Sequence, residues 1–279
     1  MYRREFSQTV DQWSEEEMNH TLKREIQLAR NIQMKLLNGE HPEVENGKVS
    51  GVSIPARLIG GDYYDFHILP NGKLRIVIGD VMGKGIPAAM LMILTRGAFR
   101  SAAESTKGPG ETLAAMNKAM YQDLRTLGSF VTVFCADWDP ENRQLTYANA
   151  GHNIPLVVRS KDEVAEIPKT KGVMIGGLPD QDYPENFIIL DEENIVLFYT
   201  DGIVEAQDDE REMYRVERLH QVLLDNHHQD VHAIEESIVN SIHAFTQGVP
   251  QKDDITMVLL KVNQEKTDIT SYNSPVIHP

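Results

Sequence analysis

The sequence has 279 residues, of which 41% are hydrophobic and 25% are charged, as in an ordinary soluble globular protein. Lysine and arginine total 27 against 42 aspartates and glutamates, which gives a net charge of −15 and, without a basic run, argues against binding to a nucleic-acid backbone. Cys135 is the single cysteine, so an internal disulfide and a zinc ribbon are both excluded.

The chain also lacks two signals that would send it elsewhere. Its first residues, MYRREFSQTVDQWSEEE, contain no continuous apolar segment of the kind found in a signal peptide. No apolar run reaches the roughly 18 residues that a membrane-spanning helix needs. We therefore expect a cytoplasmic protein with no nucleic-acid or membrane partner.

The first predicted element is a helix over residues 15–37, because acidic residues crowd its first turn and apolar residues recur at helical spacing. Its apolar stripe consists of Met18, Leu22, Ile26, Ala29, Ile32 and Leu36. The stripe packs either on the body of the same chain or on a second copy in a dimer, and about three heptads are marginal for an autonomous coiled coil. Residues 1–44 are thus predicted to be a helical linker or dimerisation segment.

The region that follows alternates between predicted strands and helices. Short apolar or alternating runs bounded by turn residues predict strands, and Asn71-Gly72 marks a tight hairpin between two of them. Helices are predicted in two pairs, over residues 86–103 and 110–126 and over residues 214–226 and 231–246. In the first of these helices Met90, Leu91, Met92 and Leu94 are expected to be buried.

This order of elements indicates the fold class. Hairpin-linked strands with helices in pairs predict an α+β fold, an antiparallel β-sandwich flanked by pairs of helices, rather than a parallel α/β sheet. We assign this domain to residues 45–263. The polar segment 264–279 is predicted to be a loose tail.

Aspartates stand next to four of the predicted strands, and glycines adjoin three of these places. The aspartates are Asp62, Asp65, Asp80, Asp201, Asp253 and Asp254. An aspartate near a turn commonly bonds its own backbone, and for any one of these residues that structural role is the more ordinary interpretation. Four such places together weaken it, because the ends of strands meet at the rim of a sandwich.

Carboxylates gathered at one rim would repel one another unless a cation neutralised them. A ligand set of oxygen atoms alone favours a hard cation, so Mg²⁺ or Mn²⁺ fits better than zinc. Two such ions about 4 Å apart can activate a water molecule and hold a phosphate group for in-line attack. The pattern therefore indicates metal-dependent phosphate chemistry.

Five motifs in the same order resemble a known family. They are GGDYYDF, IGDVMGKGIPAAMLM, YANAGHNIPL, LFYTDGIVEA and KDDITMVLL. Together they resemble the PPM metal-dependent serine/threonine protein phosphatases, specifically the bacterial SpoIIE/RsbU-type branch, over about residues 48–262. The predicted helix at residues 15–37 also resembles the linker that joins a sensor domain to the phosphatase in this branch.

The resemblance implies a role for each aspartate and two ions, Mn²⁺ or Mg²⁺. Asp80 would bridge both ions, and the main-chain carbonyl of Val81 would bind one of them. Asp201 and Asp253 would complete the shell of the first ion, so that Asp80, Asp201 and Asp253 form the catalytic set. The remaining implied positions are Asp62 or Asp65 at the second ion and Asp254 behind the direct ligands.

Two features of many eukaryotic relatives are missing. Met82 stands where they carry a histidine that protonates the leaving group, and an arginine that grips phosphate has no counterpart. Arg57 and Lys84 are candidates for that second role by proximity. The whole branch tends to share these absences, so they do not argue for an inactive enzyme.

The resemblance implies that the chain removes phosphate from a serine or threonine of an anti-sigma-factor antagonist, in a pathway that releases a stress-response sigma factor. Two other functions stay open: a pseudophosphatase that binds the antagonist without turnover, and a hydrolase of small phosphate esters. We also expect a homodimer, and an upstream activator protein is a candidate partner of the N-terminal helix. A shift of that helix could move the predicted helix after Gly85 and so disturb Asp80.

Three further signals are set aside. GDVMGKG differs from a phosphate-binding P-loop in its glycine spacing and in carrying Gly85 where serine or threonine is required. The histidines His227, His228 and His232 lie in a polar stretch and are expected on a solvated surface rather than at a metal. His152 is expected to fix a turn.

Overall fold

The computed structural model describes residues 15–37 and 41–263, so the predicted tail at residues 264–279 lies outside the described residues. Two five-stranded antiparallel sheets face each other, with strand orders β1-β10-β9-β6-β7 and β2-β3-β4-β5-β8. The strands of the first sheet are β1 (Gly47–Ile54), β6 (Leu156–Ser160), β7 (Glu163–Glu166), β9 (Ile195–Tyr199) and β10 (Ile255–Val262). Those of the second are β2 (Tyr63–Ile68), β3 (Leu74–Val81), β4 (Val131–Asp139), β5 (Gln144–Ala150) and β8 (Asn186–Ile189).

A pair of helices covers the outer face of each sheet. Helices α2 (Ile86–Ala103) and α3 (Pro109–Leu127) pack on the second sheet, and α5 (Arg215–Asn226) and α6 (Val231–Thr246) pack on the first. The other helices are α1 (Glu15–Leu37) and the short α4 (Asp201–Val204). The predicted α+β sandwich flanked by helix pairs is confirmed.

Strand alternation divides the core into three apolar layers. In β3, Ile76 and Ile78 point between the two sheets, whereas Val77 and Val81 point toward α2 and α3. Both faces of this strand are therefore buried, which explains its nearly continuous apolar sequence. The same alternation decides which aspartates can reach the rim between the sheets.

The burial of helix α2 differs from its prediction. Met92 is fully buried, but Met90 is 69% exposed and Leu94 is 37% exposed. These two side chains line an apolar groove of about 680 Å³ between α2 and α3, which also includes Met82 and Leu127. The expectation that all four apolar residues of this segment are buried is wrong, because only one face of α2 meets the sheet.

Helix α1 leaves most of its predicted apolar stripe uncovered. Leu22 and Ile32 are exposed by 49% and 60%, whereas Gln33 and Leu37 are buried against the domain. Gln33 bonds the loop before β2 with both ends of its amide: Nε2 donates to the Gly60 carbonyl at 2.7 Å, and Oε1 accepts from the Gly60 amide at 3.0 Å. The helix docks on the body through its last turns, and its half-buried Ile26 lines a groove with Leu58 and Ile86.

Candidate active site

The second sheet brings Asp62 and Asp80 together. Strands β2 and β3 pair antiparallel with Tyr63 opposite Gly79, so one more step along the ladder sets Asp62 opposite Asp80. On the other side of β3, Asp80 lies opposite Thr132 of β4. Both carboxylates therefore lie at the same end of the sheet.

The first sheet contributes Asp201 and Asp253 at the matching end. Asp201 begins α4 directly after β9, and Asp253 precedes β10, the antiparallel partner of β9. Because an antiparallel strand starts where its neighbour ends, the two residues fall at one end of this sheet. Asp80 is close enough to both for their charges to raise its pKa, so the four aspartates share one rim of the sandwich.

The electrostatics of this rim are those of crowded like charges. Burial raises the pKa of Asp80 to about 7, and the charges of Asp201 and Asp253 contribute to that shift. Burial also raises the pKa of Asp62, helped by the charges of Asp80 and Asp254. The pKa of Asp201 is raised by burial and by Asp253. Such a set retains protons near neutral pH unless a cation replaces them.

These residues fit a hard divalent cation by their chemistry, since the rim offers carboxylate oxygens as donors. No three acidic, histidine or cysteine side chains of the described residues are already gathered into a ligand cluster. Two of the rim carboxylates have hydrogen-bond partners within the chain. Thr200 Oγ1 donates to Asp62 Oδ2 at 2.8 Å, and Lys84 Nζ donates to Asp253 Oδ2 at 2.5 Å.

Asp65 belongs to a different cluster. Like Tyr63, it faces α2 rather than the space between the sheets, and Tyr63 donates its hydroxyl hydrogen to Asp65 Oδ2 at 2.8 Å. Arg100 holds both carboxylate oxygens of Asp65, and Arg96 Nε lies 3.7 Å from Oδ2. Of the two aspartates proposed for the second ion, this geometry leaves Asp62 at the rim and makes Asp65 an anchor for α2.

Asp254 organises the backbone around the rim. Its Oδ1 accepts from the Ala56 amide at 2.8 Å and its Oδ2 from the Gly61 amide at 2.7 Å. The main chain at Asp254 also approaches Gly202 so closely that a Cβ there would lie 1.9 Å from the Asp254 carbonyl oxygen. Glycine at position 202 is therefore a steric requirement. These contacts support the expected place of Asp254 behind the direct ligands.

Val81 also stays a candidate through its main chain. Its side chain is buried among the apolar residues beneath α2 and α3, so only its backbone can serve the rim. A Cβ at Gly61 would lie 3.3 Å from the Val81 carbonyl oxygen. The carbonyl thus lies beside the loop that carries Asp62.

A cavity of about 270 Å³ opens onto the rim aspartates and contains His152. Its lining includes Asp80, Asp201, Thr132 and His152. His152 Nδ1 lies 2.9 Å from Thr132 Oγ1, while Nε2 is buried without a hydrogen-bond partner. Burial lowers the pKa of His152 to about 4, although the nearby Tyr199 carbonyl opposes the shift, so the ring is neutral at pH 7.

The backbone at His152 is held as the sequence suggests. The Asn149 side chain accepts from the His152 amide at 2.7 Å and donates to its carbonyl at 2.9 Å. Gly151 has φ of +73°, which favours glycine. The prediction that His152 fixes a turn agrees with these contacts, but its place in the cavity was not foreseen.

A second cavity, of about 420 Å³, lies beside Asp253 on the other side of the rim. Lys84, Glu205 and Lys252 line it together with Asp253. Burial and the charges of Asp201 and Asp253 raise the pKa of Glu205. Sequence reasoning did not single out Glu205, although it stands four residues after Asp201, one helical turn, in the motif LFYTDGIVEA.

The histidines set aside earlier do not gather around a common point. His232 is exposed, lies 3.5 Å from Glu235 and stacks on His41, while His227 Nδ1 lies 2.8 Å from the Leu224 carbonyl. His228 is exposed next to His227. Their expected surface role agrees with these contacts. Within the described ranges, no helix has the length and apolar character needed to traverse a bilayer.

Comparison with known proteins gives consistent relatives. The family model for Stage II sporulation protein E (SpoIIE) matches residues 70–263. Phosphoserine phosphatase RsbU of Bacillus subtilis (strain 168) is 30% identical over 241 residues, which cover 86% of this chain and 70% of RsbU. Two further curated relatives are matched over only 42% and 58% of their lengths.

Solved structures share the fold. The SiaA-PP2C domain of Pseudomonas aeruginosa has a TM-score of 0.73 at 23% identity, covering 88% of this chain and 98% of that chain. RsbX in complex with magnesium has a TM-score of 0.60 at 19% identity, covering 80% of this chain and 99% of that chain. With the rim of aspartates and the family match, these findings confirm the resemblance seen in the five motifs: the chain belongs to the SpoIIE family of PPM-type serine/threonine protein phosphatases.

Proposed function

We propose that this phosphatase uses two divalent ions, Mn²⁺ or Mg²⁺, to hydrolyse a phosphoserine or phosphothreonine on an anti-sigma-factor antagonist. The observation that carries the proposal is the convergence of Asp62, Asp80, Asp201 and Asp253 at one rim, where burial and mutual repulsion raise the pKa of Asp80 to about 7. Carboxylates crowded at a partly buried rim destabilise a fold, and a pair of bound cations would offset their repulsion.

The residues of the rim would divide the work. Asp80, Asp201 and Asp253, with the Val81 carbonyl, would hold the ions, and Asp62 would complete the set. Bound ions supply charge that stabilises the phosphoryl group and lower the pKa of a water molecule. Asp254 keeps the loop at Gly61 in place, and the neutral His152 lines the cavity beside Asp80 without carrying a charge that would compete with the ions.

The choice of substrate rests on family membership. RsbU is named a phosphoserine phosphatase, and the resemblance implies that its branch acts on small antagonist proteins. The chain would then act in partner switching that controls a stress-response sigma factor.

Regulation through α1 is part of the proposal. The exposed side chains of Met18, Leu22, Leu28 and Ile32 would pair with a second copy or with an activator protein. A route from α1 to the rim is available, because Gln33 bonds Gly60 and the next residue, Gly61, bonds Asp254. Deleting residues 1–40 should give monomers with altered turnover; monomeric protein with unchanged turnover would contradict this part.

Turnover with added Mn²⁺ tests the central proposal. The assay compares a phosphorylated antagonist with p-nitrophenyl phosphate and with free nucleotides, using Asp80→Asn and a matched control, Asp162→Asn, at an exposed residue in the β6–β7 turn. We expect preferred hydrolysis of the phosphoprotein, lost in Asp80→Asn and kept in the control. Binding of the antagonist without turnover under any metal would indicate a pseudophosphatase, and faster turnover of nucleotides would indicate a small-ester hydrolase.

A further inference from the structure

Lys84 is the one residue between β3 and α2 that touches a rim carboxylate. Its ammonium donates to Asp253 Oδ2 at 2.5 Å and to the Lys252 carbonyl at 2.6 Å. Lys84 is flanked by Gly83 and Gly85, whose φ values of +102° and +73° are readily adopted by glycine. The protein's own cation therefore occupies a carboxylate that the proposed function assigns to a metal ion.

We propose that Lys84 is a displaceable counter-cation: it neutralises Asp253 until a divalent ion takes that carboxylate, and the released ammonium then binds the phosphate group of the substrate. The inference rests on the proposed function and deepens it. It also gives a phosphate ligand to a site in which no arginine is assigned to that role.

The contact has the strength that displacement requires. The side chains of Lys84 and Asp253 are 40% and 35% exposed, and ion pairs in such positions contribute little because water screens them. A divalent ion bound by several carboxylates gains far more than one exposed ammonium can. The pair is thus able to hold Asp253 in the metal-free protein without blocking the ion.

The freed side chain has somewhere to go. Lys84 lines the 420 Å³ cavity with Asp253 and Glu205, so an ammonium that leaves Asp253 remains beside the catalytic rim. Lysine suits such a change because its compact charge sits on a flexible stem with three donors. A phosphate group entering next to Glu205 would meet the negative charges of Glu205 and Asp253, which the Lys84 ammonium offsets.

The test compares Lys84→Met with Lys252→Met. Lys252 is adjacent to Asp253, and its replacement by methionine removes the same unit of charge. Its ammonium, however, donates to Gln207 Oε1 rather than to a carboxylate. Calorimetric titration of metal-free protein with Mn²⁺ should show about two- to fivefold tighter binding for Lys84→Met, the range of an exposed ion pair, and less change for Lys252→Met. Unchanged or weaker Mn²⁺ binding in Lys84→Met, or an equal gain in both variants, would overturn the inference.

The proposed binding of phosphate by Lys84 is tested with inorganic phosphate as an inhibitor of the Mn²⁺-loaded protein. We expect its inhibition constant to rise about tenfold in Lys84→Met, as a charge-assisted hydrogen bond is lost, and to stay near the wild-type value in Lys252→Met. Equal inhibition of all three proteins would refute the phosphate role. If wild-type protein bound no Mn²⁺, the proposed function itself would fail. If wild-type protein bound Mn²⁺ and hydrolysed the phosphoprotein, unchanged Mn²⁺ and phosphate binding in Lys84→Met would count against this inference alone.

Discussion

At the beginning of β3 the guanidinium of Arg75 is fully buried, and at the end of the same strand the half-buried Asp80 lies among other carboxylates. Arg75 meets Asp137 of β4 through two parallel hydrogen bonds, Nε to Oδ1 and Nη2 to Oδ2, both 2.7 Å. Its Nη1 also donates to the hydroxyls of Thr106 and Thr112, at 2.8 and 2.7 Å. Asp80 has neighbours of its own sign instead.

The two ends of the strand show how to separate a structural charge from a functional one. The pair at Arg75 is complete, because charge and hydrogen-bonding groups find partners within the chain, and it ties the turn between α2 and α3 to the sheet. The cluster at Asp80 is incomplete in the chain alone. Its missing charge is the best indication of what the site binds.

Removing the Asp80 carboxylate should have the largest effect on activity. Asp80→Asn takes away a carboxylate shared by the proposed ion sites, and several kcal/mol of transition-state stabilisation correspond to about a thousandfold lower turnover. Turnover of a phosphopeptide in Mn²⁺ measures it. Stability of the metal-free variant should be equal to or above wild type, because one repelling charge is gone; a large loss of stability would contradict the comparison.

Breaking the pair at the other end should do the reverse. Asp137→Asn leaves the buried Arg75 guanidinium without its counter-charge, so the free energy of unfolding should fall by about 3–5 kcal/mol. Urea unfolding gives the value. Turnover per folded molecule, measured well below the unfolding transition, should match wild type; a selective loss of turnover would mean that the Arg75 cluster acts on the site.

The pH dependence of stability sharpens the same contrast. Because the pKa of Asp80 is raised to about 7 in the folded protein, the unfolded chain releases this proton first, and metal-free stability should fall as pH rises from about 4 to about 7. Unfolding midpoints near pH 5 and near pH 8, measured with a chelator, test the slope. Asp80→Asn should reduce the slope, with Asp62 and Asp201 still contributing to it, and Mn²⁺ should restore stability at the higher pH; a flat wild-type profile would refute the shift.

The smallest effect is expected at Asp65. Asp65→Asn weakens the anchoring of Arg96 and Arg100 and should cost about 1–2 kcal/mol of stability, because the pair is partly exposed. Its affinity for Mn²⁺ should be unchanged, whereas Asp62→Asn should weaken Mn²⁺ binding. Calorimetry on both variants decides it, and weaker Mn²⁺ binding in Asp65→Asn would return that residue to the site.

The fold could be predicted from the sequence, and so could the placement of several aspartates at the ends of strands. The hairpin signal at Asn71-Gly72 predicts that β2 and β3 are antiparallel neighbours. Once strands are paired in this way, aspartates at their ends are expected at the same rim. The helices at residues 86–103 and 231–246 begin and end as predicted. The short strand β7 (Glu163–Glu166) was missed, since its residues are half-polar and lie at the edge of a sheet.

The sequence could not decide which way a side chain points from its strand or helix, or which residues of distant elements it contacts. Period-two alternation from Tyr64, which packs between the sheets, would have separated Asp62 from Asp65, but only with the strand already placed. The partners of Asp65 and Asp253, which are Arg100 and Lys84, come from other elements and leave no local pattern. The exposure of Met90 follows from the direction in which α2 packs, and its sequence is apolar on both faces.

The hydrogen bonds from the Ala56 and Gly61 amides to Asp254 have a consequence for folding during synthesis. Strand β10 lies between β1 and β9 in its sheet, yet it is the last of the described strands in chain order. The residue before it accepts hydrogen bonds from Ala56 and Gly61, which stand 198 and 193 residues earlier. A nascent chain therefore carries Asp62 and Asp80 long before their surroundings can form. The rim therefore cannot be completed before β10 is synthesised, so a nascent chain that stops short of Asp253 lacks two of its aspartates, Asp253 and Asp254.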